Sequence, residues 1–166
     1  MIARRLTGLV LLAVLIVARP VMAQDSAAQV PSPSRALDDE TKCLALAIYW
    51  EGKTETRAGQ LAVAHTVLNR VKHAKFPDTI CGVVSQRTEG GGKRCQFSWW
   101  CDGKRDVPMN DTDWEQAMGN ARAALHDGAQ DPTRGALYFH SARIKPPKWT
   151  AGRKKLARIG NHVFYK

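Results

Sequence analysis

The chain reads as one α+β domain, mainly helical, with a small β-hairpin or sheet at its C-terminal end. Three observations predict this. Apolar residues recur at helical spacing from Leu37 to Leu125, and β-rich runs are confined to the stretch after Ala136. Once an N-terminal signal and tether are set aside, about 130 residues remain, which suits one hydrophobic core and leaves no room for two ordinary domains.

At the N-terminus Arg4 and Arg5 precede an apolar run from Leu6 to Ala18, and Val21, Met22 and Ala23 form a small-x-small cleavage site. Residues 1–23 therefore read as a secretory signal. Arg19 and Pro20 stop the run short of the roughly 20 apolar residues that a bilayer span needs. No second long apolar run follows, so the mature chain is expected to be exported, periplasmic or secreted to the cell wall, with no membrane span after cleavage. Residues 24–36, with Pro31 and Pro33, read as a flexible tether, and 37–166 as the folded domain.

Within that domain Leu37, Cys43, Leu44, Ala47 and Ile48 have helical spacing, and Asp38 and Asp39 suit the positive end of the helix dipole. Glu51 falls at the C-terminal end of this helix, and Gly52 marks its exit. A second helix is predicted from Ala58 to His73, with a core stripe of Leu61, Ala64, Val67, Leu68 and Val71. Asp78 is placed as the cap of a short helix containing Ile80, Val83 and Val84. Gly90, Gly91 and Gly92 make a flexible loop. Thr112 to Glu115 fit a capping box opening an alanine-rich helix that Asp127 and Gly128 end. Ala136 to His140 and His162 to Tyr165 read as strands pairing antiparallel across a basic loop.

Charge and cysteines narrow the function classes. Net charge is +10, and loss of Arg4, Arg5 and Arg19 with the signal leaves +7. From Arg143 to Arg158 seven basic residues occur without one acid, so this loop is expected to attract anionic envelope polymers rather than nucleic acid, which an exported protein seldom meets. Cys43, Cys81, Cys95 and Cys101 all lie in the exported part, where two disulfides are expected, Cys43 with Cys81 and Cys95 with Cys101. The five histidines are far apart and there is no Cys-x-x-Cys pair, so no metal and no cofactor is expected.

Glu51 is the candidate general acid. It follows Tyr49 and Trp50 at the end of an apolar helix, and burial against such surface raises a carboxyl pKa, as a proton donor near neutral pH requires. Cys95-Gln96-Phe97-Ser98-Trp99-Trp100-Cys101 sets aromatics beside polar side chains, the composition of a sugar platform, with Phe97 assigned to the core. His65 reads as a packing or surface histidine, and Asn69 with Arg70 as ligands of backbone carbonyls.

The runs CLALAIYWEGKTE, GQLAVAHTVLNRV, FPDTICGVV, CQFSWWCDG, DPTRGALYFH and IGNHVFY resemble, in unbroken order from Cys43 to the C-terminus, the SleB/CwlJ cell wall hydrolase family. The resemblance implies a lysozyme-like or transglycosylase-like domain that cleaves peptidoglycan glycan strands, with Glu51 at the position of the catalytic acid. The family block usually reads E-A-R-G-E; here Gly52, Lys53 and Thr54 stand between Glu51 and Glu55, and both carboxylates are kept. Gln96 and Ser98 are expected to hold substrate polar groups, Trp99 to stack a sugar, Tyr138 and His140 to line the opposite wall, and Glu55 to contact substrate. Because Gly52 should break the helix, Glu55 is not expected to serve as a nucleophile. The muramic acid C6 hydroxyl is then expected to attack C1, giving a 1,6-anhydro product. A metal-dependent N-acetylmuramoyl-L-alanine amidase and a non-catalytic wall-binding module are the alternatives; a monomer is expected.

Overall fold

A computed structural model of the chain describes residues 33–88 and 94–166; the expected signal, most of the tether and the Gly90 to Gly92 loop lie outside them. Four helices come first, α1 (Pro33–Gly52), α2 (Arg57–Val71), α3 (Ile80–Val84) and α4 (Asp111–Leu125). A three-stranded antiparallel sheet follows, made of β1 (Tyr138–Ser141), β2 (Lys155–Ile159) and β3 (His162–Tyr165) in the order β1-β3-β2.

Helix α1 is the axis of the helical part. Leu44, Ala45, Ala47, Ile48 and Tyr49 are buried along it and meet Ala64 and Val67 of α2, Ile80, Val83 and Val84 of α3, and Ala117 and Ala121 of α4. The alanines let the helices approach closely, and each fully buried Leu, Ile or Val stabilises the fold by about 2 kcal/mol. The Tyr49 hydroxyl is buried too, and accepts hydrogen bonds from the backbone N–H groups of Met109 and Asn110, locking the entry to α4 onto α1.

Several local expectations shift. Helix α1 starts at Pro33, so residues 33–36 are helical rather than tether, and Asp38 and Asp39 sit beyond the first turn. Proline is well suited to a first helical position because its missing N–H has no partner there anyway. Helix α3 is capped by Thr79, whose hydroxyl accepts from Gly82 N–H, not by Asp78; Glu40 of α1 also accepts from the Ile80 and Cys81 N–H groups. The α4 cap is Asn110, accepting from Asp113 N–H, so the box read at Thr112 lies inside the helix. Helix α2 is buried on more than one stripe: Gln60, Val63, His65, Thr66 and Arg70 are as enclosed as Ala64 and Val67, while Leu61 is half-buried. A helix wrapped on all sides has no polar face to display, so its periodicity is weak.

The expected strand pair exists, with Tyr138 opposite Tyr165 and Ser141 opposite His162, but a further strand lies inside the basic loop. In β2, Lys155 and Arg158 face solvent while Leu156 and Ala157 pack on a small cluster of Ala62, Ala136 and Phe164. Charged residues on an edge strand discourage pairing with other chains, which is why this strand is disguised as a charge run. Both expected disulfides form, with Cα–Cα separations of 5.2 Å for Cys43–Cys81 and 5.7 Å for Cys95–Cys101. The first ties α3 to α1.

Candidate active site

A cavity of about 570 Å³ opens where the helical part meets the sheet. Glu51 and Arg70 reach it from α1 and α2, Gln96 and Ser98 from the disulfide loop, Tyr138 and His140 from β1, and Trp149, Arg153 and His162 from the sheet side.

Glu51 is half-buried, and the indole N–H of Trp99 donates to its Oε1 at 3.0 Å. Burial raises its pKa above the ordinary carboxylate value; the Trp99 hydrogen bond and the positive charge of Arg70 pull the other way without reversing the shift. The indole is itself fixed, stacked at 6.2 Å on Trp50 and packed against Phe97. Helix α1 ends one residue after Glu51, so the carboxyl stands at the end of a rigid rod.

Arg70 is 3 % exposed, and its Nε donates to Leu137 O at 2.8 Å. Its guanidinium lies 5.4 Å from the ring centres of both Phe76 and Phe97, and desolvation lowers its pKa to about 10, which keeps it charged at neutral pH. Its neighbour Asn69 donates to Ala136 O and to Asp131. The expected carbonyl-binding role of this pair is therefore present, and it delivers β1 to the cavity. Asp131 is in turn held by N–H and O–H donors of Thr133 and by Gly135 N–H; burial opposes its ionisation, but these bonds outweigh burial and hold its pKa low.

Glu55 and Trp99 stand elsewhere than expected. Glu55 lies beyond the end of α1, is 9 % exposed, and accepts the Asn161 N–H with both oxygens while standing 3.7 Å from His162 Nδ1. It does not line the cavity; it ties the loop after α1 to the β2–β3 turn. Gly160 in that turn has φ +54°, and a Cβ there would collide with the Glu55 carboxylate. Trp99 is 9 % exposed and spends its polar atom on Glu51 rather than offering a face to a sugar. Gln96, Ser98, Tyr138 and His140 do line the cavity with Glu51. Both ring nitrogens of His140 are engaged, Nδ1 with Ser141 O and Nε2 with the Tyr165 hydroxyl, so it braces the wall. His162 is also buried there; desolvation holds its pKa below the usual imidazole range, Glu55 opposes this and His140 reinforces it.

Sequence reasoning missed Trp149, Arg153 and His162 as cavity residues. Trp149 is embedded in a basic run that reads as solvated, and only the fold of that run onto β1 turns it inward. Among the described residues no group of three or more His, Cys, Asp or Glu is arranged to hold a metal ion, and no helix is long and apolar enough to cross a membrane.

The sequence profile of the cell wall hydrolase family matches residues 54–165. The chain belongs to that family. The matched span of this cell wall hydrolase domain begins just after Glu51. A spore cortex-lytic enzyme of Bacillus cereus is 32 % identical over 136 residues, 81 % of this chain and 47 % of that protein. One of Halalkalibacterium halodurans is 30 % identical over 148 residues, covering 86 % and 40 %. The chain thus spans about half the length of the curated relatives it matches. The crystal structure of the catalytic domain of the Bacillus cereus SleB protein superposes with a TM-score of 0.58 at 30 % identity, covering 78 % of this chain and 91 % of that one. The catalytic domain of the germination-specific lytic transglycosylase SleB from Bacillus anthracis gives 0.55 at 28 % identity, covering 82 % and 100 %. The lysozyme-like or transglycosylase-like expectation resolves, in these terms, to the SleB catalytic fold.

Proposed function

We propose that this domain cleaves the glycan strands of peptidoglycan between N-acetylmuramic acid and N-acetylglucosamine, with Glu51 as general acid. The observation that carries the reading is a half-buried carboxyl of raised pKa, held by an indole N–H, on the wall of a sugar-sized cavity. The carboxyl gives its proton to the bridging oxygen as the C1–O bond breaks, and Arg70 and Trp99 then steady the carboxylate that is left.

Among the described residues Glu51 is the one acidic side chain lining the cavity, so a second carboxylate for water activation or covalent attack is not at hand. The C6 hydroxyl of the muramoyl unit forms the new bond to C1 and returns its proton to Glu51, giving a 1,6-anhydro product. Likeness to spore cortex-lytic enzymes and to a germination-specific lytic transglycosylase supports this reading. We take the protein to act as a monomer; export to the periplasm or wall fits the two disulfides, and the basic loop from Arg143 to Arg158 supplies attraction to anionic envelope polymers.

Purified protein incubated with intact sacculi should release fragments whose mass lacks one water at the muramoyl end, and Glu51→Gln should release none. Reducing-end muramic acid would replace transglycosylation with hydrolysis. Release of free stem peptides with intact glycan, sensitive to chelators, would favour the amidase instead.

A further inference from the structure

We propose that Trp149 and Arg153 form a subsite for a carboxylate-bearing sugar, Trp149 taking the apolar face of the pyranose and Arg153 the acidic substituent. The inference rests on the glycan-cleaving reading of the cavity and names the substrate feature that the wall opposite Glu51 recognises.

Trp149 is 37 % exposed, yet its ring is not loose. It is seated on Tyr138 at 6.0 Å and edge-on to His140 and Tyr165 at 5.9 and 5.8 Å, so an aromatic face is held open toward the cavity at little conformational cost. Trp100 is as exposed, but it borders a separate pocket with Arg87, Cys101 and Gly103, one that Glu51 does not line.

Arg153 gives that platform its charge. Its guanidinium carbon lies 4.2 Å over the Tyr138 ring and 5.6 Å from the Trp149 ring, and Nη1 donates to Trp149 O at 2.6 Å. The group is half-buried, held in a fixed plane, and has no carboxylate partner among the described residues. A planar guanidinium with free donors, oriented beforehand, suits a carboxylate better than a mobile ammonium does. Arg143, Lys145, Lys148 and Lys154 are exposed and share no such restraint. Two carboxylates of the substrate present the same chemistry next to a pyranose ring: the lactyl group of a peptide-free muramic acid, and the acids of a stem peptide.

The test measures affinity in the Glu51→Gln background, where turnover does not interfere, by calorimetry in about 0.3 M salt so that the exposed cations are screened beyond a few ångströms. Soluble glycan strands are compared in peptide-free and peptide-bearing form, each with its carboxyls free or capped as neutral ethanolamides. Free carboxyls should bind about five- to tenfold tighter than capped ones, in the peptide-free pair if the lactyl group is the ligand and in the peptide-bearing pair if the stem is. Adding Arg153→Gln should erase the difference, and Arg153→Lys should restore part of it. Trp149→Ala should weaken every form by about tenfold, whatever its charge. Equal binding of free and capped strands by the parent, or a preference that survives Arg153→Gln, would overturn the subsite; the first outcome needs no variant to fold. Failure of the unmutated protein to cleave sacculi would remove the glycosidase reading and leave this binding result standing on its own.

Discussion

The helical part and the sheet are held in place by different forces. Helices α1 to α4 close on a continuous apolar core running from Leu44 to Ala121, whereas the sheet rests on a cluster of three buried residues, Ala62, Ala136 and Phe164. Polar side chains make up the difference. Asn69 and Arg70 hold the carbonyls of Ala136 and Leu137, and Glu55 holds the turn at Asn161. Apolar packing is non-directional and gives the acid a stiff support, while hydrogen bonds are directional and set where the opposite wall stands. The cavity lies along the seam between the two.

That contrast can be broken most sharply at Glu51. Glu51→Gln should lower cleavage by about a hundredfold to ten-thousandfold, the range that general acid catalysis contributes. Stability should respond in the opposite sense. A carboxyl whose folded-state pKa is raised contributes stability below its unfolded value and loses it as pH rises through the folded one, so at pH 7, well above the unfolded value, burying the carboxyl is a cost in either protonation state, and the amide removes it. The thermal midpoint of Glu51→Gln at pH 7 should therefore equal or exceed that of the parent.

Next in size is Glu55→Ala, which strands the Asn161 N–H and should destabilise the protein by about 2 to 3 kcal/mol. Hydrogen exchange should quicken first at the amides of β2 and β3, before the buried turns of α1. Uniform quickening would mean that sheet and helices are one cooperative unit. Asp131→Ala should cost about 2 kcal/mol at neutral pH through four lost hydrogen bonds. Because burial resists but bonding wins, its folded-state pKa lies below 3.8, so its contribution is full above that value and fades as pH falls through the folded one; urea midpoints of parent and variant should converge in acid. Smallest is Asn110→Ala, a lost cap worth about 1 kcal/mol with cleavage unchanged.

The same division governs what the sequence disclosed. Elements that bury one apolar stripe, α1 and α4, and the β-branched and aromatic β3 were legible, as were both disulfides and the end of α1 at Gly52. Glu51 was singled out because it sits among aromatics in sequence, and the indole that donates to it is that of Trp99, 48 residues on. Glu55 and Trp99 were placed in the cleft because sequence position says nothing about which way a side chain is drawn once a buried donor competes for it. Strand β2 and Trp149 were hidden because an edge strand and its loop carry the charges of a solvated surface. Only the pairing of β2 with β3 turns that run into a wall.

The most direct measurement is an NMR titration of the Glu51 carboxyl carbon overlaid on the pH dependence of kcat/KM for strand cleavage, which reports groups of the free enzyme. A proton donor kept neutral by burial predicts that the carboxyl midpoint lies above 4.5, that the alkaline limb of the rate coincides with it, and that both move upward together in Trp99→Phe, which removes the indole donor. A carboxyl that titrates at or below 4.5, or a limb that ignores its midpoint, would contradict Glu51 as the acid.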